Sequence, residues 1–143
     1  MIRLSKRYRF FASHRLHSEA LTEEENQRTF GKCNNPHGHG HNYEVEITVA
    51  GDVDPVTGRV VDIRALDGIA EKTILKPLAY RNLNQEVAAF QKIVPTTENL
   101  GVELYSRLRS SWAGTFGTDG PRLEMVRIWE TDRNICEITN RNE

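Results

Sequence analysis

The stretch His37-Gly38-His39-Gly40-His41 sets three imidazoles at alternate positions. Neutral imidazole is the commonest side-chain metal ligand. Residues two apart on a strand leave by the same face, so His39 and His41 can reach one ion. Both share phase with the apolar positions Tyr43, Val45 and Ile47 that follow. His14 belongs to a second alternating stretch, in phase with Phe10, Ala12 and Leu16. If the two stretches are neighbouring strands, His14, His39 and His41 converge on one buried point. Three protein ligands with a fourth position open is the pattern of a catalytic zinc ion, whereas structural sites are closed by four. One inward histidine alone reads as a hydrogen-bonded core residue; the agreement of three phases is what points to a metal. His37, out on the loop, is expected in solvent or behind the ligands.

Cys33 stands in Gly31-Lys32-Cys33-Asn34-Asn35-Pro36, six residues before His39. A thiol near a dication and next to Lys32 loses its proton more readily than free cysteine. The thiolate could then take a carbon-bound proton while the metal polarises a neighbouring oxygen. Local spacing supports an inert buried thiol equally well. Glu130 is in phase with Val126 and Ile128 at the end of an apolar alternation. Such a carboxylate is paired, exposed or used, and pattern alone favours exposure at the strand end. Cys136 reads as filler.

The elements that must carry these groups follow from periodicity. Ile2, Leu4, Tyr8, Phe10, Ala12, His14 and Leu16 share one parity, broken by Lys6; arginines and serines hold the other, with Phe11 the exception. That is a long half-buried strand. A second strand is predicted over His41–Val49, and the polar stretch Ser18 to Gly38 between them reads as a long, functional loop. Asp54-Pro55-Val56-Thr57-Gly58 is a turn. A helix starts at Asp62, carries Ile63, Leu66, Ile69, Ala70 and Ile74 inward, and ends at Pro77. A second begins at Thr96-Thr97-Glu98, with Leu100, Leu104 and Leu108 as its buried stripe. Gly114, Gly117 and Gly120-Pro121 mark a loop, and two strands close the chain, Leu123–Glu130 and Asn134–Ile138. The order ββααββ predicts an α+β fold: a four-stranded antiparallel sheet with two helices on one face. The sheet's open edges call for covering or for a second copy.

At 143 residues the chain is expected to be one domain, 1–143. With 19 basic against 20 acidic side chains it offers no global field for nucleic acid or an anionic membrane. No apolar run approaches the roughly 20 residues that span a bilayer, and the N-terminus lacks a secretory apolar segment. A cytoplasmic location is expected, in which Cys33 and Cys136 stay thiols.

Together these pieces resemble the 6-pyruvoyl-tetrahydropterin synthase family, which includes the 6-carboxytetrahydropterin synthases of queuosine biosynthesis. The resemblance rests on Phe11-Ala12-Ser13-His14-Arg15-Leu16-His17, on Gly31 to Pro36 running into Gly38-His39-Gly40-His41-Asn42-Tyr43, and on Asp54-Pro55-Val56-Thr57-Gly58. It continues through Lys76-Pro77-Leu78, Asn82-Leu83, Pro95-Thr96-Thr97-Glu98-Asn99 and Glu130-Thr131-Asp132. It implies a tunnelling fold (T-fold) whose subunits form trimeric barrels stacked into a hexamer, and zinc held by His14, His39 and His41. The implied substrate is 7,8-dihydroneopterin triphosphate, which loses triphosphate to give a 6-pyruvoyl or 6-carboxy tetrahydropterin. Cys33 would be the base; Glu130 would anchor the pterin, with Thr96, Thr97 and Glu98 near it. The five residues between Cys33 and His39 match the pyruvoyl-type spacing.

One departure bears on the chemistry. Where the family has an Asp-His relay after Pro-Leu, this chain has Ala79-Tyr80. Either Tyr80 serves as a general acid or His37 substitutes, or the chain is a pterin- or purine-binding paralogue with altered chemistry or none.

Overall fold

The computed structural model describes residues 1–139. Strand β1 (Ile2–His14) pairs antiparallel along its whole length with β2 (His39–Gly51). β2 pairs with β4 (Arg122–Thr131), which pairs with β5 (Asn134–Thr139), both antiparallel. The sheet has five strands, not four, because Arg81–Asn82 (β3) adds parallel to β1 at Ala12 and Ser13, giving the order β3-β1-β2-β4-β5. Two residues are too few to show as periodicity.

The parity reading holds in the core. Phe10, Ala12, His14, Tyr43, Val45, Ile47, Val126 and Ile128 are buried on the helix-covered face. Lys6, the residue out of pattern, spends its charge on Asp67 of α2 (Ile63–Ala70) at 2.6 Å, and Tyr8 donates to the same carboxylate. On the other face Glu46 is buried beneath Arg7 and Arg127, both of which also lie over the Trp129 ring.

Asp62 caps α2 through Arg64 and Ala65 N–H. The helix does not stop at Pro77. It widens into a π-helical turn (Glu71–Leu75) and runs on through α3 (Lys76–Leu78). Proline brings no N–H and crowds the carbonyl four residues back, and the wider turn makes room for it. After the short α4 (Leu83–Glu86), the long helix α5 (Thr97–Phe116) is capped by Thr96, whose hydroxyl accepts from Asn99 N–H. Gly114 lies inside α5 rather than in the following loop. Leu100, Leu104 and Leu108 are fully buried against the sheet and α2.

The stretch expected as a loop carries a helix of its own, α1 (Glu23–Phe30), then a 3₁₀ turn, Gly31–Asn34. Thr22 and Glu25 form a reciprocal capping box, which stabilises so short a helix. Its face carries little apolar surface, so no 3.6-residue hydrophobic period announces it. Among the described residues no helix is long and apolar enough to cross a membrane.

Candidate metal centre

The antiparallel register sets His14 directly opposite His39 and Ala12 opposite His41. The three rings meet edge-on, with centroids 4.7 to 5.0 Å apart. Their donor atoms lie within 4.8 Å of one another. His14 Nε2 is 3.2 Å from His39 Nε2, and two imidazole nitrogens at that distance are a good fit to neighbouring ligands of one ion.

His14 is fully buried, and its Nδ1–H donates to the Pro95 carbonyl at 2.8 Å. That bond fixes the tautomer and leaves the Nε2 lone pair facing the other rings, the usual arrangement behind a metal-binding histidine. His41 Nε2 is buried with no hydrogen-bond partner among the described residues. Buried polar atoms are rarely left unpaired, and a metal ion would supply the missing partner. The three histidines are therefore positioned to bind a metal ion, and the residues present fit one.

Two glycines of the motif have separate reasons. Gly38 has φ +71°, and a Cβ there would meet the His14 carbonyl at 2.8 Å. Gly40, on the opposite face from the histidines, leaves room for the Phe11 ring, which lies where a Cβ would stand. The end of β1 is pinned by asparagines. Asn84 bonds the N–H and carbonyl of Arg15, and buried Asn34 bonds the Leu16 carbonyl. These contacts end the strand at His14, so Leu16 lies beyond it.

Cys33 sits in the 3₁₀ turn, its carbonyl accepting from Leu16 N–H at 2.9 Å. Burial and the Glu130 charge push its thiol up from the ordinary value, the opposite of what Lys32 suggested; Lys32 is exposed. Glu130 is not exposed at a strand end. Glu130 keeps the inward phase of Val126 and Ile128, its carboxylate facing His14 and His41, and the β4–β5 register shifts just there, between Trp129 and Thr131. Its carboxylate accepts from Thr97 Oγ1 at 2.9 Å and from Asn134 Nδ2 at 3.3 Å. Asn134 also donates to Thr97, closing a polar triangle that nothing in the sequence pattern announced.

The remaining candidates fall outside this cluster. Thr96 has its hydroxyl engaged in the α5 cap. Glu98 is exposed on the first turn of α5, where its charge is felt by Cys136. His37 is exposed. Tyr80 has φ +61° and is 84 % exposed. It lines, with Phe11, Asn42, Trp129 and Asp132, a cleft of about 470 Å³ on the other face of the sheet from the histidines.

Burial holds the pKa of His14 and of His41 below the ordinary value; the Pro95 bond and the Glu130 charge offset this for His14, and Glu130 alone for His41. As pH falls past about 6.5 the unfolded chain takes up these protons before the folded one does. The metal-free protein should therefore be most stable above that pH and lose stability below it. Urea midpoints measured between about pH 8 and pH 5 should fall, and less steeply in His41→Gln.

Residues 3–141 match the family model described as 6-pyruvoyl tetrahydropterin synthase. The chain is 45 % identical over 132 residues to the 6-pyruvoyl tetrahydrobiopterin synthase of Homo sapiens, covering 92 % of this chain and 87 % of that protein. It is 25 % identical over 157 aligned positions to the 6-carboxy-5,6,7,8-tetrahydropterin synthase of Haemophilus influenzae, covering 96 % and 98 %. Its fold superimposes on the Caenorhabditis elegans 6-pyruvoyl tetrahydropterin synthase structure with a TM-score of 0.87 at 37 % identity, covering 98 % of this chain and 96 % of that one. With the sheet, the histidine cluster and these matches in agreement, the chain belongs to the 6-pyruvoyl tetrahydropterin synthase family.

Proposed function

We propose that the chain is a zinc-dependent lyase that eliminates triphosphate from 7,8-dihydroneopterin triphosphate, yielding a 6-pyruvoyl or 6-carboxy tetrahydropterin. The observation that carries this reading is the convergence of His14, His39 and His41, with Cys33 and Glu130 close enough to feel each other's charge. Three imidazoles suit zinc, and bound zinc would supply Lewis-acid polarisation of a substrate hydroxyl or carbonyl.

The chain's own residues would do the rest. Cys33 as thiolate takes a proton from a side-chain carbon; that electron pair forms the new double bond, and the bond to triphosphate breaks. Glu130, held by Thr97 and Asn134, accepts hydrogen bonds from the substrate's donors. Thr96 belongs to the same turn. Glu98 faces solvent, so a pterin contact from it needs a second copy against that surface. A homo-oligomer, trimer or hexamer, is part of the proposal: β3 covers β1 only at Ala12 and Ser13, and among the described residues no strand pairs with the rest of that edge, which a second copy could do.

The test is to incubate the zinc-loaded protein with 7,8-dihydroneopterin triphosphate and follow products by mass spectrometry. Triphosphate release establishes the lyase and identifies the pterin formed. Substrate left unchanged at full zinc occupancy refutes it for this substrate.

A second reading, a pterin-binding protein without turnover, is favoured by the Ala79-Tyr80 pair and by where Tyr80 points. The double variant Ala79→Asp, Tyr80→His separates the two. Histidine tolerates the left-handed backbone found at position 80. A relay that had been lost should return a gain of roughly 10²-fold or more in triphosphate release. An unchanged, measurable rate would show that the elimination proceeds by another acid, and no release from either protein would favour the binding reading.

A further inference from the structure

The Glu130 carboxylate is nearly enclosed and has no lysine or arginine beside it among the described residues. Its side chain is 11 % exposed, and among the described residues the only basic side chains within 4 Å of it are His14 and His41. A carboxylate taken out of water is costly unless a positive charge answers it. Imidazoles that ligate a metal are neutral, so they cannot answer it, whereas the dication they hold can.

The geometry runs the same way. Thr97 fixes one carboxylate oxygen and Asn134 the other. Oε2 then lies 3.8 Å from His14 Nε2, and Oε1 lies 3.8 Å from His41 Nε2. Ligand atoms about 2.0–2.2 Å from a tetrahedral zinc stand roughly 3.4 Å from one another. The His14–His39 separation of 3.2 Å matches that edge, and both Glu130 contacts exceed it by only about half an ångström. The carboxylate arrives there on the inward phase of Val126 and Ile128, and the β4–β5 register shifts beside it, as strands often do next to a site.

We propose that Glu130 is a displaceable fourth ligand, closing the shell of the metal held by His14, His39 and His41 until a substrate hydroxyl takes its place. This rests on the metal-centre reading above and deepens it. Once displaced, the carboxylate remains tethered by Thr97 and Asn134. It is then placed to take the proton of that hydroxyl, the O–H bond breaking and the proton passing to Glu130. Solvent is kept off the metal between turnovers.

Cobalt(II), whose visible bands report its ligands, provides the test. The wild-type protein loaded with cobalt should show bands that do not change between about pH 6 and pH 9, because no solvent ligand is there to ionise near neutral pH. Glu130→Gln should admit water and acquire a pH-dependent spectrum. Adding 7,8-dihydroneopterin, which has no triphosphate to lose, should alter the wild-type bands. If Glu130→Gln fails to fold, Glu130→Asp keeps the charge, draws the oxygens back by one methylene, and is read in the same way. Matching spectra and matching pH responses in wild type and variant overturn the inference yet leave the three-histidine centre standing, since both have bound cobalt. Failure of the wild type to bind cobalt overturns the inference together with the centre on which it rests.

Discussion

His41→Ala should strip the chain of its metal and leave the fold intact. Removing a polar side chain from a buried site is damaging mainly when its partners are orphaned. His41 Nε2 has no partner to orphan among the described residues, and Ala12 is its small cross-strand neighbour. The same substitution removes one of three ligands. Zinc sites of four ligands are worth about 10–16 kcal/mol in apparent affinity, so losing a ligand should cost on the order of 10³-fold or more. Equilibrium dialysis should give one zinc per wild-type chain and nearly none for the variant. Urea unfolding of the two metal-free proteins should give midpoints close together. A variant that unfolds would mean that the histidine cluster holds the strands together, as in a structural site. A variant that keeps its zinc would move the centre elsewhere.

Cys33→Ala should do the reverse, with zinc retained and triphosphate release reduced by roughly 10²–10⁴-fold, the usual contribution of a positioned base. The thiol is poorly suited to that task unaided, since burial and Glu130 both raise its pKa. A dication in the adjacent cluster is the group able to bring it back down. Alkylation by iodoacetamide followed against pH reads this directly. In the metal-free protein the midpoint should lie above that of a free thiol, and zinc should lower it. Zinc leaving the midpoint unmoved would assign proton abstraction to another group, whatever the activity of the variant.

The legible parts of this protein are those where one physical rule dominates. Alternation in β1 and β2 marked the buried face, and the three histidines were found because they obey that alternation in a place where histidine has no packing reason to do so. Asp62 and Thr96-Thr97 could be read as helix starts, and the caps found there are the Asp62 carboxylate and the Thr96 hydroxyl answering free N–H groups. The parts that stayed hidden depend on contacts far apart in sequence. Glu130 read as exposed because its partners Thr97 and Asn134 come from other elements, and Asn134, Asn34 and Asn84 are asparagines whose roles arise only from what they meet across the fold. Helix α1 escaped because its stability comes from a capping box rather than an apolar stripe. Family resemblance singled out Cys33 and Glu130 as candidates; the structure adds that Tyr80, standing where a relay histidine was expected, faces a different cleft from the Cys33 turn.

The Phe11 ring against Gly40 has a spectroscopic consequence. Gly40 lies between His39 and His41 and holds its Cα hydrogens close against the Phe11 ring, whose ring current displaces their proton resonances. The chain thus carries a native label one residue from both His39 and His41. Its shift should follow ion uptake, ligand exchange and any slip in strand alignment without a fluorophore or an isotope-edited side chain being introduced.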